Sequence, residues 1–392
     1  MICIHKRHGL RNVFAENTCL RAEEGAAMNK RQVNFELLRI LCMYMIVVGH
    51  CLFHGRVTAK LGYGTVNYFL SYLIQSFSVV HVNCFVMLAG YFAIGREFQS
   101  RRILRLWRQV VFYSVIICLI RGCCVGVTGR DVLTAVLPIS ARNYWFASVY
   151  MGLALLMPFA GMLAAGLSRS QYRYLLVLLG IFFSVNHMIF RADTYGTYSG
   201  RDLSWFLFLA LLAGYVKLHT RQEKRYFWYG LLGYVLASLG VLASVYLSVE
   251  LGLEDTGYFL NYNSPLALAA TGSLFLCVKN MPWREGRLDN VIRKTAGAAF
   301  GVYLIHDNYL VRYAVWDMFR ASKVARTHWA VLYAIAVGVV VYAVCTCMEL
   351  ARQRLFREAG RWYEKTVLYK KEQALLEKAD DMLRRKREQE MS

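Results

Sequence analysis

Long apolar runs, separated by short polar connections, fill the sequence between about residues 34 and 350. Ten of these runs are long and apolar enough to cross a membrane as helices. They are residues 34–54, 66–94, 103–122, 142–166, 172–190, 202–218, 226–249, 264–280, 296–319 and 328–349. The pattern predicts an all-α fold, a polytopic transmembrane helical bundle with about ten spans.

The positive charges between the runs predict how the bundle is oriented. Cytoplasmic connections of membrane proteins carry an excess of lysine and arginine. Every second connection has such an excess: Arg96, Arg101, Arg102, Arg105 and Arg108; Arg169 and Arg173; Lys217, Arg221, Lys224 and Arg225; Lys279, Arg284, Arg287, Arg293 and Lys294. With an even number of spans, both termini are then expected in the cytoplasm. Because orientation explains the net charge of +21, we expect membrane lipids and no nucleic acid among the partners.

Composition is that of a membrane protein, with 57% apolar residues, 14% aromatic residues and only four prolines. Such a chain needs no soluble core. The eleven cysteines lie mostly inside apolar runs and form no CxxC pair, which argues against a disulfide framework and against a metal site. The adjacent Cys123 and Cys124 fall in a connection, and their role stays open.

Two polar segments flank the expected membrane domain at 34–350. Residues 1–33 contain no apolar run of signal-peptide length, so we expect this segment to be disordered or to result from a misassigned start. Residues 351–392 carry a rough stripe of leucines among Lys, Arg and Glu. This stripe predicts a cytoplasmic amphipathic helix that lies on the anionic leaflet or, alternatively, mediates self-association.

The first run contains three ionisable residues, Glu36, Arg39 and His50, although such groups are costly inside a membrane. Arg39 and His50 are eleven positions apart. In a helix this spacing puts them ~16 Å apart along the axis and within roughly 20° of one face. A cation and an imidazole on one face predict a functional site, and Glu36 is spaced to pair with Arg39. The alternative is that Arg39 snorkels to the interface and His50 caps the outer end of the helix.

A dense group of arginines follows the second run. Arg101, Arg102, Arg105 and Arg108 fall within eight positions, and Arg102 and Arg105 share a face if this segment is helical. Guanidinium groups bind phosphate through planar, two-pronged hydrogen bonds. The group therefore predicts an anionic ligand, with a simple anchor facing lipid head groups as the alternative.

Five motifs occur in an order that is typical of one enzyme family. The first run, NFELLRILCMYMIVVGH (34–50), has an arginine, ten further residues and a histidine. CFVMLAGYF (84–92) is similar to a Phe-rich stretch that ends in Ser-Gly-Tyr/Phe, and RILR (102–105) to Arg-x-x-Arg. NYWFASVYMGLALLMPF (143–159) and FGVYLIHDN (300–308) are similar to two later spans. Over about 34–350 the chain resembles the membrane acyltransferase family 3, whose members have ten spans.

Members of this family move an acyl group, usually acetyl from acetyl-CoA, to a hydroxyl of a cell-surface or secreted glycan. The resemblance implies acetyl-CoA or another acyl-CoA as donor, a glycan or lipid-linked glycan as acceptor, and no metal. It also implies a multi-pass protein of a bacterial-type plasma membrane. These are expectations about the whole chain.

The resemblance also implies roles for individual residues. His50 would be the catalytic base, with Arg39 and Glu36 beside it in the catalytic site. Arg101, Arg102 and Arg105 would hold the CoA. The acceptor would meet His306, Trp145, Tyr303 and Asn83. Alternatively, His306 and Asn83 hydrogen-bond neighbouring helices, and Trp145 belongs to an aromatic belt at the interface. We expect Glu36, Arg39, His50 and His306 to line one buried cavity.

A histidine base suits this chemistry, because a hydroxyl must lose its proton as it attacks a thioester. Two positions depart from the family pattern: Ala89 stands where a serine is common, and Arg108 where a proline often follows Arg-x-x-Arg. Ala89 removes the most obvious nucleophile, and Cys51 points some 100° away from His50 around the helix. We therefore expect direct transfer without an acyl-enzyme intermediate.

Two other classes of function fit the intramembrane polar residues. A transporter or flippase for a polysaccharide or small solute would use them as a solute path, although no internal repeat is visible. A scaffold would use them to hold its helices together. An acyltransferase differs from both, because loss of His50 would abolish acyl transfer while the protein still inserts.

Overall fold

The computed structural model describes residues 32–191, 195–253, 256–284, 286–363 and 365–389, and within these ranges the chain forms helices and connections only. The expected disorder of residues 1–33 concerns a segment that lies outside the described residues, except for Gln32 and Val33. The first eight α-helices are α1 (Val33–His54), α2 (Val66–Ser78), α3 (His81–Ala93), α4 (Ser100–Cys124), α5 (Gly129–Val136), α6 (Trp145–Gly166), α7 (Arg169–Gly180) and α8 (Asn186–Phe190). The next eight are α9 (Leu203–His219), α10 (Lys224–Glu250), α11 (Pro265–Lys279), α12 (Asp289–His306), α13 (Arg312–Met318), α14 (Ala321–Val324), α15 (Ala330–Tyr363) and α16 (Val367–Gln389).

Seven helical stretches of the described chain are long and apolar enough to cross a membrane. They are Val33–His54, Val66–Ala93, Ser100–Cys124, Trp145–Gly166, Arg169–Phe190, Lys224–Glu250 and Ala330–Gly360. Helix α9 is a shorter apolar helix, and the runs predicted at 264–280 and 296–319 contain α11 and part of α12. The protein is therefore an all-α, polytopic helical bundle, and each apolar run seen in the sequence contains a helix.

Three of the predicted runs differ from the helices in the structure, and the hydrophobic pattern did not predict these differences. The run at 66–94 is interrupted between α2 and α3, although Val79 and Val80 keep nearly helical backbone angles. The run at 296–319 is not one helix, because α12 ends at His306 and the side chain of Asn308 accepts a hydrogen bond from the N–H of Leu310 at 2.9 Å. This local turn redirects the chain. Helix α15 continues past residue 350 to Tyr363.

Side-chain caps mark where some helices begin. The Ser264 hydroxyl accepts a hydrogen bond from the N–H of Ala267 at 3.1 Å, directly before a helix whose first residue is Pro265. Ser168 and Gln171 form a reciprocal capping box at the start of α7. These starts are set by local chemistry, since the caps satisfy N–H groups that have no partner in the first turn.

Helix α1 lies inside the bundle and packs against α2, α3, α12 and α15. A second interface, between α3 and α9, depends on a small residue. A Cβ at Gly90 would lie 2.5 Å from the Cα of Ala210, so only glycine allows this approach of the two backbones. Close packing around α1 places its polar side chains against other helices instead of lipid.

Candidate active site

A cavity of about 950 Å³ opens beside the first half of α1. Its walls come from α1, α3, α4, α6 and α12, and on one side its charged residues Arg96, Glu97, Arg102 and Asp380 lie around the start of α4. The lining includes Glu36, Arg39, Phe85, Leu88, Ala89, Arg96, Gln99, Arg102, Gln109, Phe146, Tyr150, Pro158, Phe300 and Asp380. A space of this size with convergent charges is suited to a ligand that has both apolar and anionic parts.

Glu36 and Arg39 form an ion pair on the cavity wall. An Arg39 Nη1 donates to Glu36 Oε2 at 2.7 Å, and Glu36 is buried while Arg39 stays partly open to the cavity. The three-residue spacing on α1 makes this pair possible. The carboxylate fixes the guanidinium and leaves its other N–H groups able to face a ligand.

The three arginines expected to hold CoA have different surroundings. Arg102 lines the cavity, together with Arg96 from the connection before α4. All three are exposed, but Arg101 forms an ion pair with Glu377 of α16 at 2.8 Å, and Arg105 does not belong to the lining. The structure therefore brings one arginine of the Arg-x-x-Arg motif to the cavity.

The C-terminal helix α16 lies across the start of α4, at the charged side of the cavity. Asp380 accepts hydrogen bonds from the N–H and the hydroxyl of Ser100, at 2.9 and 2.7 Å, and also lines the cavity. Arg108 pairs with Glu372 on the same helix. The amphipathic tail expected from the sequence thus contacts the arginine-rich helix directly, so it is a neighbour of the candidate site.

The second half of α1 carries a different group of polar residues. His50 Nδ1 lies 3.0 Å from Nε2 of His306, the last residue of α12. His306 Nδ1 lies 2.6 Å from the carbonyl oxygen of Val302, and because a carbonyl can only accept, this nitrogen carries a proton. In neutral His306 the other ring nitrogen, Nε2, therefore carries a lone pair and accepts a hydrogen bond from His50 Nδ1–H. Because the proton of His50 is on Nδ1, the lone pair of His50 is on Nε2.

A carboxylate and a guanidinium lie next to the two histidines. Asp307 Oδ1 is 3.6 Å from both His50 Nδ1 and His54 Nε2, and 3.5 Å from Arg312 Nε. Asp307 is 2% exposed, while the His50 side chain keeps 22% of its surface accessible. The group therefore combines a buried charge with an imidazole that a small group can reach.

Tyr303 connects the cavity with the histidines, which are not part of the cavity lining. Its ring lies 5.8 Å from Phe146 and 6.1 Å from Phe300, two cavity residues, and 6.5 Å from His306. The expectation that Glu36, Arg39, His50 and His306 line one cavity holds for the first two residues only. The rings of Phe146, Phe300 and Tyr303 form a series of aromatic contacts from the cavity lining to His306.

Neither Trp145 nor Asn83 belongs to the cavity lining, and both contact Tyr262. Trp145 stacks on Tyr262, with ring centroids 6.3 Å apart. Asn83 is fully buried, donates to the Tyr262 carbonyl at 2.8 Å and accepts from Trp205 Nε1 at 3.0 Å. Its amide is used to join helices, which corresponds to the alternative weighed for this residue.

His50, His54 and Asp307 offer three potential metal-ligand atoms that lie within 4.8 Å of one another. Two of these atoms already have other neighbours, since His50 Nδ1 faces His306 and Asp307 Oδ1 faces Arg312. A positive guanidinium also disfavours a metal cation next to the same oxygen. The donor set therefore fits proton transfer better than metal binding.

The nine described cysteines are free, with Cys123 and Cys124 exposed.

Sequence reasoning missed two members of the histidine group. His54 is four residues after His50, a spacing that puts two side chains on one helical face and could have revealed it. Arg312 gave no comparable signal, because it reaches Asp307 through the turn that follows α12. Only the folded chain identifies it.

The comparisons with known proteins identify the family of the chain. A family model described as an acyltransferase domain, that of the acyltransferase 3 family, matches residues 32–349. No curated protein and no solved structure matches the chain. The matched range contains the cavity residues from α1 to α12 and the whole histidine group, whereas α16 lies beyond it. The chain belongs to the acyltransferase 3 family and is a multi-pass membrane acyltransferase.

Proposed function

We propose that this acyltransferase moves an acyl group, acetyl in the first instance, from cytoplasmic acyl-CoA to a hydroxyl of a cell-surface or exported polysaccharide. The observation that carries the proposal is the contact between His50 and His306, which leaves a lone pair on His50 Nε2. The chain would cross a bacterial-type plasma membrane ten times, with both termini in the cytoplasm.

In the proposed reaction His50 Nε2 takes the proton from the acceptor hydroxyl as the hydroxyl oxygen attacks the thioester carbonyl carbon. The C–O bond forms, the C–S bond breaks, and the CoA thiolate leaves. The proton held by His50 then passes to the thiolate, giving free CoA thiol and the O-acyl ester. His50 thus acts first as the base toward the acceptor hydroxyl and then as the acid toward the thiolate, and no covalent intermediate is required.

The cavity is the proposed donor site. Arg102 and Arg96 at its charged side would meet CoA phosphates, and Arg39, held by Glu36, would contact the donor farther in. The aromatic walls suit the less polar pantetheine arm. To reach His50 the thioester must pass the rings of Phe146, Phe300 and Tyr303, so those rings would have to shift when the donor binds.

Detergent-purified protein and radiolabelled acetyl-CoA test this proposal. Equilibrium binding of acetyl-CoA is measured beside transfer of label to the envelope polysaccharide fraction of the source cells. We expect His50→Ala to bind acetyl-CoA as the wild type does and to lose transfer. His328, which is exposed, provides a control, because His328→Ala should retain both properties.

Three results would contradict direct transfer by His50. Retained transfer in His50→Ala would remove the proposed base. Label that accumulates on the protein and is later chased onto polysaccharide would indicate an acyl-enzyme. Solute flux that does not depend on acyl-CoA, with no labelled product, would favour a transporter.

A further inference from the structure

The turn after α12 places one carboxylate among three basic side chains. Asp307 Oδ1 lies 3.6 Å from an imidazole nitrogen of His50 and of His54, and 3.5 Å from Arg312 Nε. These four residues come from α1, the end of α12 and α13. The oxygen is buried and accepts no hydrogen bond within the described chain.

A buried carboxylate is unfavourable unless nearby groups offset the loss of hydration. Here the turn itself is fixed by other contacts. Arg312 donates to the Asp307 carbonyl at 2.9 Å, and Asn308 donates to the Tyr144 hydroxyl at 2.7 Å. Because these bonds hold the backbone, the Asp307 side chain is not needed to close the turn and can serve the histidines.

From this juxtaposition we propose that Asp307 is a positioning residue of the acyl transfer. Its carboxylate keeps the rings of His50 and His54 oriented and stabilises the positive charge that His50 acquires when it takes the acceptor proton. This inference rests on the proposed function of His50 and adds the group that supports it.

The physical reason is the low polarity of the surroundings. A charge that appears on His50 during the reaction interacts with a fixed carboxylate more strongly in a buried site than in water. The other charged or titratable groups facing His50 are His54, His306, Arg312 and His81. The positive charge of Arg312 disfavours a positive charge on His50. Asp307 is the negatively charged group that can stabilise a protonated His50.

The test compares variants at the two ends of one helix. Asp307→Asn keeps the shape and removes the charge, while Asp289→Asn does the same for a buried, arginine-paired aspartate at the start of α12. We expect Asp307→Asn to lower kcat by about 10- to 100-fold with unchanged acetyl-CoA binding, less than the loss for a directly hydrogen-bonded triad aspartate. Asp289→Asn should change neither.

Charge and shape are separated by a third variant. Asp307→Glu keeps the charge with a longer side chain, so it should retain more kcat than Asp307→Asn. A better rate for Asn than for Glu would overturn the electrostatic role. Thermal unfolding of each purified variant shows whether the loss of rate accompanies a loss of folding.

A double variant distinguishes positioning from general structural support. If Asp307 acts through His50, Asp307→Asn should lower the residual rate of His50→Ala by less than about twofold, because coupled groups are not additive. A further loss as large as in the wild type would overturn the inference. If His50→Ala itself transfers normally, the proposed function fails instead. Loss of transfer with 1,10-phenanthroline that Zn²⁺ restores would assign His50, His54 and Asp307 to a metal.

Discussion

The two halves of helix α1 contribute to two unlike polar groups. Near its start, Glu36 and Arg39 face a cavity that also receives Arg102 and the carboxylate of Asp380. Near its end, His50 meets His306 and Asp307 in a closely packed group that does not line that cavity. The first group is open and rich in permanent charge, and the second is packed and titratable. Under the proposed function, donor binding and proton transfer are separate tasks along one helix.

The largest expected effect is at the histidine end. His50→Ala should lower kcat by about 10²–10⁴-fold, the usual contribution of a general base, with acetyl-CoA affinity unchanged. Steady-state transfer and equilibrium binding on the same preparation check this. A loss of affinity comparable to the loss of kcat would mean that the two halves of α1 are not separate.

The opposite result is expected at Arg39. Arg39→Gln should weaken acetyl-CoA binding by about 10- to 100-fold, because a charged hydrogen bond to the donor is lost, while kcat at saturating donor changes little. Glu36→Gln keeps the guanidinium and removes the partner that holds it, so its loss of affinity should be smaller than that of Arg39→Gln. A fall in kcat with unchanged binding would place Arg39 in the chemical step.

A smaller effect separates the arginines that follow the second run. Arg102→Lys should weaken acetyl-CoA binding by about fivefold, since lysine keeps the charge and loses the planar two-pronged geometry. Arg105→Lys, outside the cavity lining, should change binding by less than about twofold. Equal losses in both variants, measured by titration with acetyl-CoA, would contradict the distinction drawn from the cavity.

The smallest expected effect concerns the C-terminal helix. Asp380→Asn keeps a hydrogen-bond acceptor for Ser100 and removes a negative charge from the place proposed for phosphates. Acetyl-CoA should then bind about two- to threefold more tightly at low salt, and the gain should fade as ionic strength rises. Asp381→Asn, on the adjacent exposed position, should leave the affinity unchanged at every salt concentration.

Much of the fold could be read from the chain. The apolar runs correspond to helices, and the Ser264 hydroxyl, directly before Pro265, caps the start of α11. The points at which helices end inside an apolar run could not be predicted in this way. In the 296–319 run, the helix ends at a turn in which the Asn308 side chain accepts one hydrogen bond. Average hydropathy over the run contains no information about such a bond.

The sequence by itself determined the family, the helical bundle and the spacing of Glu36, Arg39 and His50, because family motifs, hydropathy and helical period are local properties. Only the tertiary structure decided which distant groups meet. His50 and His306 are 256 positions apart, and helix packing alone selects Arg102 over Arg105 for the cavity and sets Asp307 beside two histidines. Such contacts depend on how whole helices rotate against one another. The chemistry of each residue is local, whereas its partners are decided by packing across the bundle.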